Sequence, residues 1–292
     1  MFIFIFASSS SVKTAIIYGE NLWLYSLFPS IFPSLLLCSL LIKYNLINVL
    51  SKIFKNIIKN VFNLTEASAF PILISMITGF PTGSKYINDL LKKNLISIED
   101  ANHLIMFTSY SNPIFVISII GEALLNNKKV GILIYVIHVL TGLLIGILFR
   151  NNNYKENIKE YANHNSLTFI NELKDSIKES FIILINMLGI IIFFIIIITI
   201  IENKLPNNIF TLIIEGLIEI TIGITNISKY KINLRLKAAL IGMILSFNGL
   251  SIHFQTKSII EGSQIKYKNY LIARIIHSIL CFVFIYFFFY IL

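Results

Sequence analysis

The fold is decided by the stretch Thr78-Gly79-Phe80-Pro81-Thr82-Gly83-Ser84-Lys85, which interrupts apolar sequence with two glycines, a proline and a cation. Backbone N–H and C=O groups cannot stay unpaired in hydrocarbon. A helix broken at membrane depth must therefore be surrounded by protein or by a water-filled cavity. The amides and the partial positive charge at a helix N-terminus suit an anion. The stretch is therefore a candidate binding site as well as a candidate turn.

The composition is that of a membrane protein. Of the 292 residues, 56% are hydrophobic and only 13% are charged, whereas soluble proteins average about 25% charged. Residues 130–149, 181–201 and 271–292 each supply the nearly uncharged run of about 20 residues that spans a bilayer. The net charge of +9 comes from basic residues scattered between the apolar runs. This distribution favours loops that face anionic lipid, and no nucleic-acid partner is expected.

The first half of the chain, residues 1–150, contains a candidate re-entrant segment near residues 65–85. Residues 65–76 are apolar but too short to cross a bilayer, and short segments of this kind often enter and leave on the same side. Before them, residues 45–62 place apolar side chains on one helical face and lysines on the other. This spacing predicts an interfacial amphipathic helix, with a solvated loop as the alternative.

Prolines mark two further irregularities in the first half. The apolar span at residues 21–42 contains Pro29 and Pro33, and a proline in a helix removes a hydrogen bond and clashes with the preceding turn. We therefore expect a kink or an interruption in this span. Residues 1–11 lack the basic region of a signal peptide, and we expect them to form a shortened first span. Farther along the chain, Asn112-Pro113 predicts a break in another membrane helix.

A polar linker at residues 151–166 separates a second membrane half, residues 167–292. This half contains a predicted broken helix near residues 246–251 and a carboxylate, Glu219, within an apolar segment. Each half runs in the order apolar segment, polar break, basic segment, polar break and terminal span. Transporters built from inverted repeats place discontinuous helices at corresponding positions of their two halves. The predicted fold is an all-α polytopic membrane protein with two inverted-repeat-like halves and broken or re-entrant helices.

Polar residues at the four breaks are the candidate substrate contacts. Lys85 either adds positive charge to an anion site or extends outward to the lipid headgroups. Asn112 and Asn248 carry amides that either cap backbone groups or bind a ligand. Glu219 is ionisable, which favours a coupling role over an interfacial carboxylate. The predicted substrate contacts are Gly79, Pro81, Gly83, Lys85, Ser111, Asn112, Thr221, Asn248, Gly249, Ser251 and Gln255.

No signature of an enzyme occurs in the sequence. It contains no nucleophile elbow, P-loop, dinucleotide fingerprint or zincin motif. The five histidines show no paired spacing with Cys, Asp or Glu, so neither a metal site nor a cofactor is expected. Cys38 and Cys281 each lie in an apolar run and are interpreted as small buried hydrophobes.

Four segments together resemble the YlbJ-type sporulation integral membrane proteins of the nucleoside-recognition or Gate-domain superfamily. They are Gly79-Phe80-Pro81-Thr82-Gly83-Ser84-Lys85, Asn112-Pro113, Glu219-Ile220-Thr221-Ile222-Gly223 and Gly249-Leu250-Ser251-Ile252-His253-Phe254-Gln255. The resemblance extends over nearly the whole chain, from residues 27–30 to residues 274–277. The family usually has alanine where this chain has Ser84, and a Gly-Gly pair where it has Asn248-Gly249.

The resemblance implies an endospore-forming bacterium and a multi-pass protein of the mother-cell or outer forespore membrane. It implies movement of dipicolinic acid toward the forespore by a fold similar to that of concentrative nucleoside transporters. The implied partners are a second copy of the chain or forespore channel proteins. Dipicolinate is a small planar dianion, which broken-helix amides and Lys85 would suit. Three alternatives stay open: a non-transporting sporulation scaffold, a nucleoside-type carrier and a passive channel.

Overall fold

The structure, a computed structural model, describes residues 9–150, 168–202, 205–206 and 208–291. In the first half the helices are α1 (Ser9–Leu22), α2 (Phe28–Lys43), α3 (Leu46–Ile57), α4 (Ala69–Thr78), α5 (Thr82–Lys92), α6 (Ile98–Phe107) and α7 (Lys128–Leu148). In the second half they are α8 (Phe169–Glu202), α9 (Ile209–Ile218), α10 (Ile220–Lys229), α11 (Leu234–Phe247), α12 (Gly249–Ile260) and α13 (Tyr267–Phe288). Three π-helical segments add Trp23–Leu27, Ile58–Phe62 and Phe115–Leu124, and 3-10 turns add Glu66–Ser68 and Phe289–Ile291.

The described residues form an all-α polytopic membrane protein, as predicted. Five helical spans are long and apolar enough to cross a bilayer, and a sixth is obtained if a helix pair bent by 97°, Leu46–Phe62 with Glu66–Thr78, counts as one. Large apolar side chains lie exposed on the outer faces of the spans, for example Ile182 and Ile185 on α8 and Ile279 on α13. Such faces match hydrocarbon rather than water.

The first span is not interrupted at its prolines. The helix continues from Ser10 to Lys43, and the irregularity is a π-helical turn at Trp23–Leu27 that ends just before Pro29. Pro29 follows this π turn, and Pro33 lies inside α2, so the continuous helix accommodates both prolines. The predicted kink is therefore a change of helix type just before Pro29. Residues 1–8 of the predicted short span lie outside the described residues.

Two helix pairs form hairpins whose tips point into the protein. In the first, α4 and α5 turn at Gly79, and a β carbon added at Gly83 would lie 3.1 Å from the Ser75 β carbon across the hairpin. In the second, α9 and α10 turn at Glu219, where a β carbon added at Gly223 would lie 2.1 Å from the Gly216 α carbon. These contacts show that each pair folds back on itself, which is the geometry of a re-entrant segment.

Two other helices are broken along their length. α6 ends at Phe107, residues 108–112 are not helical, and the chain resumes as the π-helical segment Phe115–Leu124. α11 and α12 meet at Asn248, whose φ of 78° is left-handed. Asparagine tolerates this conformation better than most residues do. Each half of the chain therefore contributes one hairpin and one broken helix.

The two halves have the same helix order and opposite directions. The end of α2 meets the beginning of α8 through Lys43 and Glu172, whose nitrogen and oxygen are 3.3 Å apart. The beginning of α6 meets the segment before α13, where the Lys266 N–H donates to Asn102 at 2.7 Å. At the other end of the molecule, Arg235 near the start of α11 donates to the Tyr286 carbonyl at 2.6 Å. The hairpins consequently enter from opposite ends. The predicted linker at residues 151–166 lies outside the described residues.

Candidate functional site

All four breaks meet at one small internal space, the central cavity, of about 30 Å³. The first hairpin tip contributes Thr78, Gly79 and Phe80, and the second contributes Glu219, Ile220 and Thr221. The broken helices add Ser111, Asn112 and Phe115 on one side and Ser251, Ile252 and Gln255 on the other. Apolar residues of α2, α8 and the π turn close the remaining wall, namely Leu27, Ile31, Met187 and Ile191. The breaks thus form one site.

Three polar atoms at the central cavity have no protein partner among the described residues. They are the Ser111 Oγ, the Ser251 Oγ and the Gln255 Oε1, all buried. A buried polar group without a hydrogen bond costs about 1–3 kcal/mol, so such groups normally meet water or a ligand. A space of about 30 Å³ holds one or two water molecules. In this conformation the cavity is therefore too small for an aromatic molecule.

Asn112 ties the first hairpin tip to the broken helix. Its Oδ1 accepts from the Ile114 N–H at 2.8 Å, and its Nδ2 donates to the Ile77 carbonyl at 3.0 Å. It therefore caps the start of one helix and a carbonyl near the end of another, as a capping asparagine does. Gly79 has a φ of 80°, and a β carbon there would lie 2.6 Å from the Asn112 nitrogen. Only glycine fits this approach.

Glu219 lies at the tip of the second hairpin and is 1% exposed. Its Oε2 accepts from the backbone N–H groups of Thr221 at 2.8 Å and Ile222 at 3.1 Å, and from the Thr221 hydroxyl. The carboxylate is thus the N-cap of α10, where the helix dipole favours negative charge. A buried carboxylate in this position either stays as a fixed cap or gains and loses a proton.

A comparison with known proteins gives one relative. The chain is 25% identical to the sporulation integral membrane protein YlbJ of Bacillus subtilis (strain 168), over 96% of this chain and 77% of that protein. This similarity, which covers nearly the whole chain, supports the resemblance to the YlbJ-type proteins. No family model matches the chain, and no solved structure matches it.

Five of the predicted contacts lie partly or wholly away from the central cavity. Pro81 and Lys85 line a larger space of about 540 Å³, here called the side groove, between the first hairpin, α8 and α12. Gly83 packs against the Thr108 carbonyl, and Gly249 packs against Ile220. The Asn248 amide donates to the Ser109 hydroxyl at 2.6 Å and to the Tyr270 hydroxyl at 2.9 Å. Asn248 therefore holds the two broken helices together.

Lys85 faces neither the central cavity nor open lipid. Its side chain is 29% exposed, and its Nζ lies 3.9 Å from the Asp89 carboxylate, one helical turn away. The same ammonium lies 4.9 Å from the centre of the Tyr86 ring. The charge is thus partly compensated at the rim of the side groove.

Sequence reasoning missed a buried cluster of Arg274, His277 and His138 next to the breaks. Arg274 of α13 is fully buried and donates to the carbonyls of Met106 at 2.6 Å and Ser109 at 3.1 Å, and to His277 Nδ1 at 2.9 Å. The rings of His277 and His138 stack with centres 4.9 Å apart. An ionisable residue within a membrane span indicates a function. Arg274 is such a residue, so the sequence did contain a signal for this cluster.

The tight approach of the hairpin to α6 gives a first prediction, for Gly83→Ala. A β carbon at position 83 would lie 2.0 Å from the Thr108 oxygen, and backbone cannot move aside as a side chain can. We expect a loss of about 1–3 kcal/mol in stability, as for other overpacked sites, seen as a lower melting temperature in detergent.

The control for Gly83→Ala is Gly189→Ala on α8, where nothing lies within 4 Å of the added carbon. Alanine is the better helix former by about 1 kcal/mol, so this variant should melt no earlier than wild type. Equal melting temperatures for Gly83→Ala and wild type would contradict the close packing of the first hairpin.

Proposed function

We propose that this protein is a membrane carrier for a small anion, and that the anion is dipicolinic acid moved from the mother cell toward the forespore. The observation that carries the proposal is the group of three unpartnered polar atoms on Ser111, Ser251 and Gln255, buried where four helix breaks meet. The name of the B. subtilis relative, a sporulation integral membrane protein, supports a membrane role in sporulation.

Two helix N-termini near the cavity support an anionic substrate. α5 begins at Thr82 and α12 at Gly249, and neither has a side-chain cap. By contrast, the Glu219 carboxylate caps α10. Asn112 caps the helical segment that begins just after Asn112. Uncapped N-termini present N–H donors and partial positive charge to an anion. A dicarboxylate offers one carboxylate group to each of them.

The small size of the cavity supports a carrier over a permanently open pore. A space of about 30 Å³ holds no more than one or two water molecules, so an aromatic dicarboxylate enters only after the hairpins or α8 move. Inverted repeats supply such motion by exposing a fixed central site to each side in turn. The carrier alternates between states rather than conducting through one.

Uptake by the purified protein in liposomes tests the proposal. Labelled dipicolinate and labelled uridine should be compared with and without a proton gradient, in vesicles with and without protein. We expect dipicolinate to enter and uridine not to. Uridine uptake alone would replace the proposed substrate with a nucleoside. Folded protein that moves neither compound would favour the sporulation scaffold.

A second prediction concerns the two cavity serines. Ser251→Ala and Ser111→Ala each remove a hydroxyl that would donate to the substrate. Since a hydrogen bond to a charged group contributes about 1.5–3 kcal/mol, the half-saturating dipicolinate concentration should rise about tenfold or more. The matched control is Ser278→Ala, because the Ser278 hydroxyl donates to Ile275 within its own helix. An unchanged concentration dependence in both cavity variants would place the substrate elsewhere.

A further inference from the structure

We infer that the side groove is the cytoplasmic entrance to the central cavity, and that Met187 and Gln255 are the gate between the two spaces. The inference rests on the proposed transport function, because it describes how a substrate reaches that same site. It assigns a role to Met187, an α8 residue that no motif singles out, and a second role to Gln255.

Met187 and Gln255 line both spaces. On one side of them the central cavity has about 30 Å³, and on the other the side groove has about 540 Å³, a volume typical of small-molecule pockets. Both side chains are almost fully buried, at 4% and 5% exposed, so they fill the passage. Both are unbranched and flexible, so rotamer changes can open the passage when the hairpins or α8 move to enlarge the cavity.

The unpaired side-chain oxygen of Gln255 is a second, independent observation that supports the gate. Its Oε1 is buried without a hydrogen-bond partner among the described residues. A fixed structural amide would have found a donor, since unpaired buried polar groups are costly. An amide that must turn to admit a polar solute gains its partner only when that solute or water arrives. Gln255 is therefore poised to bind what passes it.

The side groove has the lining that an anion needs on its way in. Thr82 and Lys85 of α5, Asn186 of α8 and Ser258 of α12 contribute polar groups to walls that are otherwise apolar. The α5 N-terminus at Thr82 opens into the same groove without a side-chain cap. On the opposite wall, no atom lies within 4 Å of a β carbon added at Gly189, so α8 leaves the groove open there.

The fold places the groove on one identifiable side of the cavity. The groove extends from Pro81 at the hairpin tip to Ile259 near the end of α12, and the Asn88 amide of α5 donates to the Ile259 carbonyl at 2.7 Å. It therefore lies toward the end of the molecule where α2 and α5 finish and α8 begins. That end is here called the basic end.

Lysine and arginine are unequally divided between the two ends. The described basic residues toward the basic end are Lys43, Lys52, Lys55, Lys59, Lys85, Lys92, Lys93, Arg150, Lys174, Lys178, Lys257, Lys266 and Lys268. Those toward the opposite end are Lys13, Lys128, Lys129, Lys229, Lys231, Arg235 and Lys237. An excess of Lys and Arg marks the cytoplasmic side of a membrane protein. The groove thus opens to the cytoplasm.

Thiol labelling tests the gate without measuring transport. In a chain with Cys38→Ala and Cys281→Ala, single-cysteine variants Gly189→Cys in the groove and Ser251→Cys in the cavity are exposed to a membrane-impermeant methanethiosulfonate from each face of membrane vesicles. Gly189→Cys should react quickly from the cytoplasmic face alone. Ser251→Cys should react about tenfold or more slowly, because minor open states are commonly populated at about 10% or less.

Opening the gate should change only the cavity cysteine. Adding Gln255→Ala or Met187→Ala should raise the labelling rate of Ser251→Cys several-fold and leave that of Gly189→Cys unchanged. Equal rates for the two cysteines before the gate is changed, or labelling of Gly189→Cys from the outer face, would overturn the inference. Addition of dipicolinate during labelling separates the two proposals. If dipicolinate does not slow the labelling of Ser251→Cys, dipicolinate is not the substrate. The gate is tested separately, by the labelling rates measured without dipicolinate.

Discussion

Replacing Arg274 with methionine is expected to lower the melting temperature of the protein more than any other single change described above. The guanidinium is fully buried and makes three short donations, to the Met106 and Ser109 carbonyls and to His277. Methionine fills similar space but donates nothing. Each buried acceptor left without a donor costs roughly 1–3 kcal/mol, so we expect a loss of about 3 kcal/mol or more, or roughly 5 °C or more.

The burial of the Arg274 charge lowers the stability of the folded protein, in contrast to the hydrogen bonds that Arg274 makes. Taking a cation out of water is costly, and no carboxylate lies within ion-pair distance of Arg274 in the described part of the chain. What compensates the charge is the position of the guanidinium at the C-terminal ends of two helices, α6 and α11. The carbonyl of Ser246, near the end of α11, lies 3.5 Å away. Helix C-termini favour cations, so the charge and both helix breaks stabilise one another.

Arg274→Lys separates charge from geometry. A lysine keeps the positive charge but is a single point donor, whereas the planar guanidinium reaches several acceptors at once. Its melting temperature should fall between those of wild type and Arg274→Met. The control is Arg235→Met at the far end of α11, where the guanidinium stacks 3.6 Å from the Tyr286 ring centre and is partly exposed. A melting temperature of Arg274→Met equal to that of wild type would refute the structural role.

The hydrogen-bond partners of His138 and His277 show which ring nitrogen of each histidine carries the proton. The backbone N–H of Ser111 donates to His138 Nε2 at 3.1 Å, so the His138 proton is on Nδ1, which lies 2.8 Å from the Ser246 hydroxyl. His277 accepts from Arg274 at Nδ1 and therefore donates through Nε2 to the His138 carbonyl at 2.9 Å. Both rings are neutral, which is what a neighbouring buried cation requires.

Local chemistry made the helix breaks predictable from the sequence. Gly79 and Pro81, the Asn112-Pro113 pair and the Asn248-Gly249 pair are residues that often interrupt helices, and the structure interrupts a helix at each of them. Glu219 was visible as a charge in an apolar run. The span with Pro29 and Pro33 was expected to be kinked or interrupted, and the structure shows a π turn just before Pro29 within a continuous helix.

What the sequence left open are the contacts between distant segments. Asn112 caps a helix, whereas the Asn248 amide donates to the Ser109 hydroxyl and so joins two helices. The two asparagines differ because a different helix lies opposite each of them. Met187 and Ile191 belong to a uniform run of apolar residues, and only packing places them at the cavity. The division of lysines between the two ends became countable only once the re-entrant hairpins were known, since each hairpin returns the chain to the side from which it came.

Glu219→Gln is expected to abolish net dipicolinate accumulation while the protein stays folded. The variant keeps an oxygen that accepts from the Thr221 and Ile222 N–H groups, and so it keeps most of the α10 cap. What it loses is the ability to bind and release a proton. If that exchange couples transport to a proton gradient, uptake against a concentration gradient should fall about 100-fold or more, since relays of this kind depend on their carboxylates.

Exchange of dipicolinate across the membrane distinguishes coupling from binding. Liposomes loaded with unlabelled dipicolinate should still take up the labelled compound through Glu219→Gln, because exchange requires the site to open to each side but requires no net proton movement. Loss of exchange as well would make Glu219 a substrate contact or an essential cap, and a lowered melting temperature would identify the cap. If Glu219→Gln accumulates dipicolinate at the wild-type rate, Glu219 has no coupling role. Glu219 lines the proposed substrate cavity, where its negative charge would oppose an anion, so the proposed carrier links protonation of Glu219 to substrate entry.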